Sequence, residues 1–576
     1  MMLQQGLLEY TFTIGIILSL AMLLIGAFKD RKQIYHTLKS HGLDRRFAIA
    51  ALGVVIVFLF VELYFVKPTQ LLFFDDAIYQ GMAIDMLHMG QAWMCNYGTP
   101  LTCFQGQVYH EPIGLSFNIA VAFLIFGVSR ASAYGTEAFL GALSVLMCIL
   151  SALLLFKDRR AALFSGLILA ITPVVLVWAR PTNSDMATLA YSMVTIFFFL
   201  AFVKRKSLWS LSNMLFALSL LLYMKVDEVL FIPILVAMYL LLDSSGIIGS
   251  AKAALSSIAK NIWNTKLLII VLLFVLAVVP SVLYSYNESL TGNYGYQGTT
   301  IQNTCIKGMP GMQVNSSIDM QNFRANVCAN LGFWLNAYTS DYVMQPILFT
   351  LLAVLGAFML VGGGRWKIAA AIGIWFGAFF FLYTAFYAGS VIYGVDWRFM
   401  LSLVAQAALF GGFAVSELVS LAETVAGRIK RHKNKIAAVA TAVAVVVIFV
   451  PLYMMMPLIA VNPSSIQQAG DARFYENFVY NNSQLIPSSC VVYTYDPTLF
   501  NINNRTATQM DNLYNSTQTS QYISEGRCLV FDYGYWCHTP NNECVYANQS
   551  YQLIPIKTAT YNRTGSLYGF YYLKKK

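Results

Sequence analysis

Two adjacent carboxylates, Asp75 and Asp76, lie in the stretch LLFFDDAIYQGMAIDMLHMG (residues 71–90), a few residues beyond an apolar run, Phe47 to Val66, long enough to cross a bilayer. Charge at a membrane surface is expensive, and residues kept there usually have a function. A carboxylate in that place can take the proton of an attacking alcohol, the role of a general base. Isolated cations stand near the same ends of other apolar runs: Lys67, Arg130, Arg180, Lys225 and Arg398. Further acids at that level are Asp85, Glu111, Asp185, Asp227, Glu228 and Asp396. A ring of cations around paired carboxylates suits a lipid-linked phosphate, whose leaving charge the cations stabilise while a carboxylate takes a proton. Single members of the ring also have a plainer reading, as snorkelling or ion-paired residues that end helices.

The elements that position these residues follow from composition. The chain has 576 residues, 58% hydrophobic and 11% charged, with a mean hydropathy of +0.60; this excludes an ordinary soluble enzyme and describes a polytopic membrane protein with some soluble mass. The net charge of +10 does not point to nucleic acid. Of the 37 Lys and Arg, 22 fall in short clusters between apolar segments: Lys29 to Arg46, Lys157 to Arg160, Lys204 to Lys206, Lys252 to Lys266, Arg365 to Lys367 and Arg428 to Lys435. The rule that basic loops stay cytoplasmic puts all six inside, so the spans between them come in pairs.

About twelve helical spans result: 10–27, 47–66, 133–156, 161–178, 186–203, 208–223, 229–242, 266–284, 346–361, 368–386, 399–420 and 436–456. Counting Leu115 to Val128 as another would turn Lys157 to Arg160 outward, so that run is expected to be an interfacial or re-entrant helix in the first large external loop. The first segment lacks a small-residue cleavage site and precedes a basic loop, which reads as an anchor. The expected organisation is therefore a membrane domain over 1–456, with external loops 67–132 and 285–345, and an extracytoplasmic mixed α/β or β domain over 457–576. No internal repeat or low-complexity linker is evident.

Sequons starting at Asn287, Asn315, Asn481, Asn504, Asn515, Asn548 and Asn562 all fall on the external side. Cys148 lies alone in a span, while Cys95, Cys103, Cys305, Cys328, Cys490, Cys528, Cys537 and Cys544 are external. An even external set implies disulfides, with 95–103 and 305–328 the natural local pairs. No Cys/His spacing points to zinc.

Several segments, in order, resemble the GT-C superfamily of polyprenyl-phosphate-sugar glycosyltransferases, the group of the dolichyl-phosphate-mannose protein mannosyltransferases and the bacterial lipid A aminoarabinose transferases. DDAIYQGMAIDMLHMGQAW is similar to the family's first external loop, with Asp75, Asp76 and Tyr79; YHEPIGLSFNIAVAFLIFGVSRASA to its Pro-containing segment, with His110, Glu111 and Arg130. ITPVVLVWARPTNSDMATLAY resembles its Ala-Arg-x4-Asp span (Arg180, Asp185), LLYMKVDEVLFIPILVAMYLL its Leu-x-Lys-Gly segment (Lys225, with Val226 in place of Gly), and DWRFMLSL its late Arg-Tyr motif (Arg398). The resemblance covers roughly 50–420.

It implies inverting transfer of a sugar from a polyprenyl phosphate to an extracytoplasmic protein or glycan hydroxyl. Asp75 would be the general base and Asp76 would position it. Arg180, Lys225 and Arg398 would bind the donor phosphate, and Tyr79, His110, Glu111 and Asp185 would contact substrate. Inverting displacement requires no cofactor; Asp75, Asp76, His110 and Glu111 could hold a divalent metal, but none is predicted. One rival is an oligosaccharyltransferase catalytic subunit, because FDYGYW (Phe531 to Trp536) is similar to that group's Trp-Trp-Asp-Tyr-Gly signature. A transporter of lipid or sugar is another, weighed down by spans almost free of charge. External sequons and disulfides, without an insertion in 285–345 like the lumenal domains of eukaryotic protein mannosyltransferases, imply an archaeal plasma membrane.

Overall fold

Long apolar segments must satisfy their backbone polar groups internally, and in hydrocarbon a helix does so within one segment. Each of the twelve expected segments is helical in the computed structural model, which describes residues 2–66, 75–89, 113–243, 265–291, 300–301, 312–313, 345–385, 395–427, 433–461, 467–537 and 541–576. The helices are α1 (Met2–Ser40), α2 (Arg45–Phe60, continued by a π-helical turn Val61–Phe65), α3 (Asp75–Met89), α4 (Gly114–Phe126), α5 (Arg130–Phe156), α6 (Arg159–Ile171), α7 (Pro173–Trp178), α8 (Ser184–Arg205), α9 (Leu208–Met224), α10 (Phe231–Leu242), α11 (Thr265–Thr291), α12 (Ile347–Gly362), α13 (Trp366–Ala385), α14 (Leu401–Gly427) and α15 (Lys433–Val461). Among the described residues seven helices are long and apolar enough to cross a membrane, α4, α9 and α12 are shorter apolar helices, and the 29-residue α15 carries an apolar stretch over 438–454. The polytopic helical fold is thus present, but helix length does not support a count of twelve crossings. The 12 residues of α10 would span only about 18 Å at 1.5 Å per residue.

The expected span 161–178 is two helices. Pro173 has no N–H to continue α6, and its fixed φ starts α7 instead. The expected interfacial run forms α4, whose last residues Leu124, Ile125 and Phe126 are exposed.

Burial ranks the helices. Nine-tenths of α8 and of the α14 span are enclosed, whereas α1, α2, α11 and α13 bury a third or less and present apolar side chains outward. The centre is closed by small residues that let backbones meet. A Cβ on Gly356 of α12 would stand 2.0 Å from the Phe410 carbonyl oxygen of α14, and one on Gly412 of α14 2.3 Å from the Ser165 nitrogen of α6.

Among the described residues, the basic clusters 29–46, 157–160 and 204–206 meet at one end of this bundle. Arg205 pairs with buried Asp30, Lys206 with Asp243 at 2.8 Å, Arg159 with Asp44 at 2.9 Å and Arg160 with Glu423 at 2.6 Å. Arg205 closes α8 and Asp185 opens it, so the other sparse charges lie roughly 30 Å away, at the opposite end.

Beyond α15, α16 (Gln467–Asn482) packs on a five-stranded mixed sheet of β3 (Val491–Thr494), β4 (Thr506–Gln509), β5 (Leu529–Tyr533), β6 (Tyr551–Tyr561) and β7 (Ser566–Lys575), with α17 (Pro497–Ile502) after β3. The order is β4-β3-β5-β7-β6, parallel across β4, β3 and β5 and antiparallel across β5, β7 and β6. A separate two-residue ladder joins β1 (Thr300–Ile301) and β2 (Met312–Gln313). Cys490–Cys528 ties the starts of β3 and β5, Cys537–Cys544 closes a short loop, and Cys148 is free and buried. The expected pairs 95–103 and 305–328 lie outside the described residues.

Asp532, the carboxylate of FDYGYW, lies wholly inside this domain and accepts Tyr475 Oη at 2.5 Å and Thr494 Oγ1 at 2.6 Å through Oδ2. Burial pushes its carboxyl up to about 7, against the opposing pull of the Thr494 and Tyr475 hydroxyls. The folded value therefore exceeds the unfolded one of about 3.9, and between the two the unfolded chain releases a proton that the folded domain keeps. Stability falls as pH rises through that window.

Two outcomes follow from this architecture. Raising pH from about 5 to about 8 should destabilise the C-terminal domain, and Asp532→Asn should flatten that dependence in near-ultraviolet circular dichroism melts of the full chain. Gly356→Ala should cost about 2 kcal/mol and lower the thermal midpoint, whereas Gly377→Ala, where an added Cβ meets nothing within 4 Å, should not.

Candidate active site

The turn between α7 and α8, ARPTNSD (179–185), supplies a side chain to each of several neighbouring elements. Pro181 disfavours helix for Arg180. Asn183 then caps α8, accepting from the Asp185 and Met186 nitrogens at 3.1 and 3.4 Å. Its own Nδ2 donates to the carbonyls of Trp178 at 3.1 Å and Pro181 at 2.9 Å, closing the turn.

Arg180 reaches the end of α2. Its Nε lies 3.2 Å from Glu62 Oε1 and donates to the Val66 carbonyl at 3.2 Å, and its Nη2 donates to the Leu63 carbonyl at 3.4 Å. Carbonyls at a helix C-terminus have no intrahelical donor, so the guanidinium completes them while neutralising a fully buried Glu62. The π-helical turn that carries Glu62 is a local irregularity of a kind frequent at functional sites.

Thr182 reaches α3. Its hydroxyl bonds the Asp76 carbonyl at 2.9 Å and Oδ1 at 3.2 Å, and accepts Gln80 Nε2 at 3.0 Å. Asp76 and Tyr79 are each about 1% exposed. Asp75 opens α3, but its side chain, like all of His110 and Glu111, lies outside the described residues.

Asp185, at the start of α8, joins the remaining cations. Lys225 Nζ donates to Oδ1 at 2.9 Å, and Arg398 Nε stands 3.5 Å from Oδ2. Lys225 lies in extended backbone at the end of α9 and projects over the rings of Phe399, 4.3 Å to the centroid, and Tyr383, 5.5 Å. Those two rings stack at 5.2 Å, bracing the short 3-10 helix Val395–Met400 that delivers Arg398 to the head of α14. Asp227 adds a carboxylate 3.9 Å from Lys225.

Five of the residues expected to act together are therefore placed at one end of the bundle: Asp76, Arg180, Asp185, Lys225 and Arg398. Three further acids join them: Glu62 and Glu137, missed from the sequence, and Glu228, expected at this level. Glu62 neutralises Arg180. Glu137, fully buried in α5, accepts the Asn183 nitrogen at 3.2 Å. Glu228, also fully buried, follows Lys225 by three residues. Among the described residues no group of three or more His, Cys, Asp or Glu side chains is placed to hold a metal ion. Cations held by buried carboxylates can turn to an incoming anion and are chemically suited to bind a phosphate.

Residues 110–284 match the family described as dolichyl-phosphate-mannose-protein mannosyltransferase. That segment carries Arg180, Asp185 and Lys225. ArnT from Cupriavidus metallidurans, in a crystal structure bound to undecaprenyl phosphate, has a similar fold with a TM-score of 0.51 at 13% identity, covering 92% of this chain and 98% of that one. The archaeal oligosaccharyltransferase AglB from Archaeoglobus fulgidus, in complex with an inhibitory peptide and a dolichol-phosphate, gives a TM-score of 0.46 at 13% identity over 90% of this chain and 74% of that one. No curated protein matches in sequence. The family match and the shared fold bear out the resemblance to the GT-C superfamily, and the chain is a multi-pass membrane protein.

Asp185→Asn keeps the shape of the bridge and removes its charge, leaving Lys225 and Arg398 facing each other across a neutral amide. It should cost about 3 kcal/mol of stability. Scanning fluorimetry of detergent-solubilised protein should show the drop, and an unchanged midpoint would count against the bridge.

Proposed function

We propose that the chain is an inverting glycosyltransferase that moves a sugar from a polyprenyl phosphate to a hydroxyl of an extracytoplasmic protein or glycan. The observation that carries this reading is the convergence of Arg180, Lys225 and Arg398 on buried carboxylates at the bundle end away from the basic clusters, beside the helix that begins with Asp75. The positive-inside rule makes that end extracytoplasmic. Undecaprenyl phosphate in ArnT is a ligand of the class this reading assigns to the chain.

In the proposed step the acceptor oxygen attacks the anomeric carbon, its proton passes to the Asp75 carboxylate, and the bond from that carbon to the phosphate oxygen breaks. The leaving polyprenyl phosphate gains the negative charge. Arg180, Lys225 and Arg398, all largely buried, stabilise it where a charge interaction counts for more than in water. Asp76, fixed by Thr182, orients the start of α3 and hence the base. Asp185 keeps two of the cations in place before the donor arrives. Tyr79, His110 and Glu111 are assigned to the sugar or acceptor.

The oligosaccharyltransferase alternative draws less support, because Asp532, the acid of its signature-like segment, is enclosed in the domain core.

The decisive experiment supplies purified protein with a radiolabelled polyprenyl-phosphate hexose and follows release of polyprenyl phosphate. Asp75→Asn should lower turnover by about 10² or more with the fold intact by melting. Arg398→Ala should raise the donor KM as well. Full turnover in Asp75→Asn would remove this residue from the chemistry.

A further inference from the structure

Glu476 belongs to α16 in the C-terminal domain, yet its side chain is 1% exposed and is buried against the membrane bundle. An isolated buried carboxylate is costly, so its partners identify what it does. Arg130 Nε stands 2.7 Å from Oε1, and Tyr134 Oη donates to the same oxygen at 2.6 Å. Both partners lie in the first turns of α5, more than 300 residues earlier in the chain. The Arg130 guanidinium is also sandwiched between the rings of Tyr134, 5.4 Å to the centroid, and Tyr480 of α16, 5.2 Å. Ser129 caps α5, accepting from the Ser132 nitrogen, so this turn is itself firmly built.

The first turns of α5 border the candidate site. One helical turn further, Glu137 holds the Asn183 nitrogen of the turn that carries Arg180 and Asp185. A second contact reaches the other side of the site, where α17 packs on α3, the helix that starts with Asp75. The C-terminal domain therefore touches both α3 and α5.

We propose that Glu476 is a positioning residue of the active site: by holding Arg130 and Tyr134 it fixes the start of α5, and with it the turn that presents Arg180 and Asp185, so that residues 467–576 form a working part of the site. It also sets the charge there. Arg130 is neutralised by Glu476 as Arg180 is by Glu62, which keeps the number of uncompensated cations facing a phosphate down. This inference rests on the transfer reaction proposed above.

Two measurements on the full-length protein test it. Hydrogen exchange reads the contact without activity: Glu476→Gln should speed exchange across 130–137 while β3 and β5 stay protected. Steady-state transfer from a radiolabelled polyprenyl-phosphate hexose reads the role: kcat should fall about tenfold or more while the donor KM changes by less than about threefold. Tyr134→Phe, which removes one donor and leaves the Arg130 pair, should move both readings less in the same direction, and it serves where Glu476→Gln does not fold. Faster exchange with unchanged kcat would make Glu476 a tether only and overturn the proposal, as would unchanged exchange. A wild-type protein that transfers nothing from the donor would instead sink the functional reading on which the proposal stands.

Discussion

A carboxylate taken out of water must be matched by positive charge, and the start of α8 is organised around that requirement. Asp185 sits almost wholly buried at the head of α8, the most enclosed of the seven membrane-length helices among the described residues. Lys225 and Arg398 come from the ends of two other elements to meet its two oxygens. Because one carboxylate cannot be satisfied unless α9 and the 3-10 helix before α14 both deliver their cations, the ion pairs fix the relative position of three elements that share no local sequence. Removing Asp185 takes from both cations their shared buried counter-charge, in a medium where that is expensive.

The same pairing explains how a site rich in cations stays stable with nothing bound. Arg180 is matched by Glu62 and Arg130 by Glu476. An arriving phosphate would not have to create order among long flexible side chains, whose rotamer entropy is already spent on the carboxylates. It would compete with those carboxylates for the same donors, and the resulting balance is suited to an anion that must be held during reaction and released afterwards. Tight unpaired cations would bind the leaving group and keep it.

Much of this was legible in the chain because apolar length and basic loops are local signals. The twelve helical segments appear where hydropathy placed them, and of the expected cations Lys225 and Arg398 share Asp185 while Arg180 pairs separately with Glu62. Two kinds of feature were not legible. Glu62 interrupts a run, 47–66, whose one acid drew no separate reading, although a lone ionisable residue there is itself a signal of function; its role is visible only with Arg180 beside it. Thr182 and Glu137 carry no such mark, since a threonine in a turn and a glutamate in a long helix acquire meaning from partners on α3 and from Asn183, more than 40 residues away in each case. The break at Pro173 had a local cause but was absorbed into one span, although a proline at that place is what frees the chain to make the turn.

That turn is where sequence economy and geometry meet. In seven residues, 179–185, Arg180 closes α2, Thr182 holds the first turn of α3, Asn183 caps α8, and Asp185 collects α9 and the entry to α14. A spacing of four residues between Arg180 and Asp185 is needed because the intervening Pro181 and Asn183 must reverse the chain before a helix can start. One residue fewer would remove either the reversal or the cap. The Arg-x4-Asp pattern is therefore the covalent length of a turn that has to point one charge back along the incoming helix and the other forward into the next.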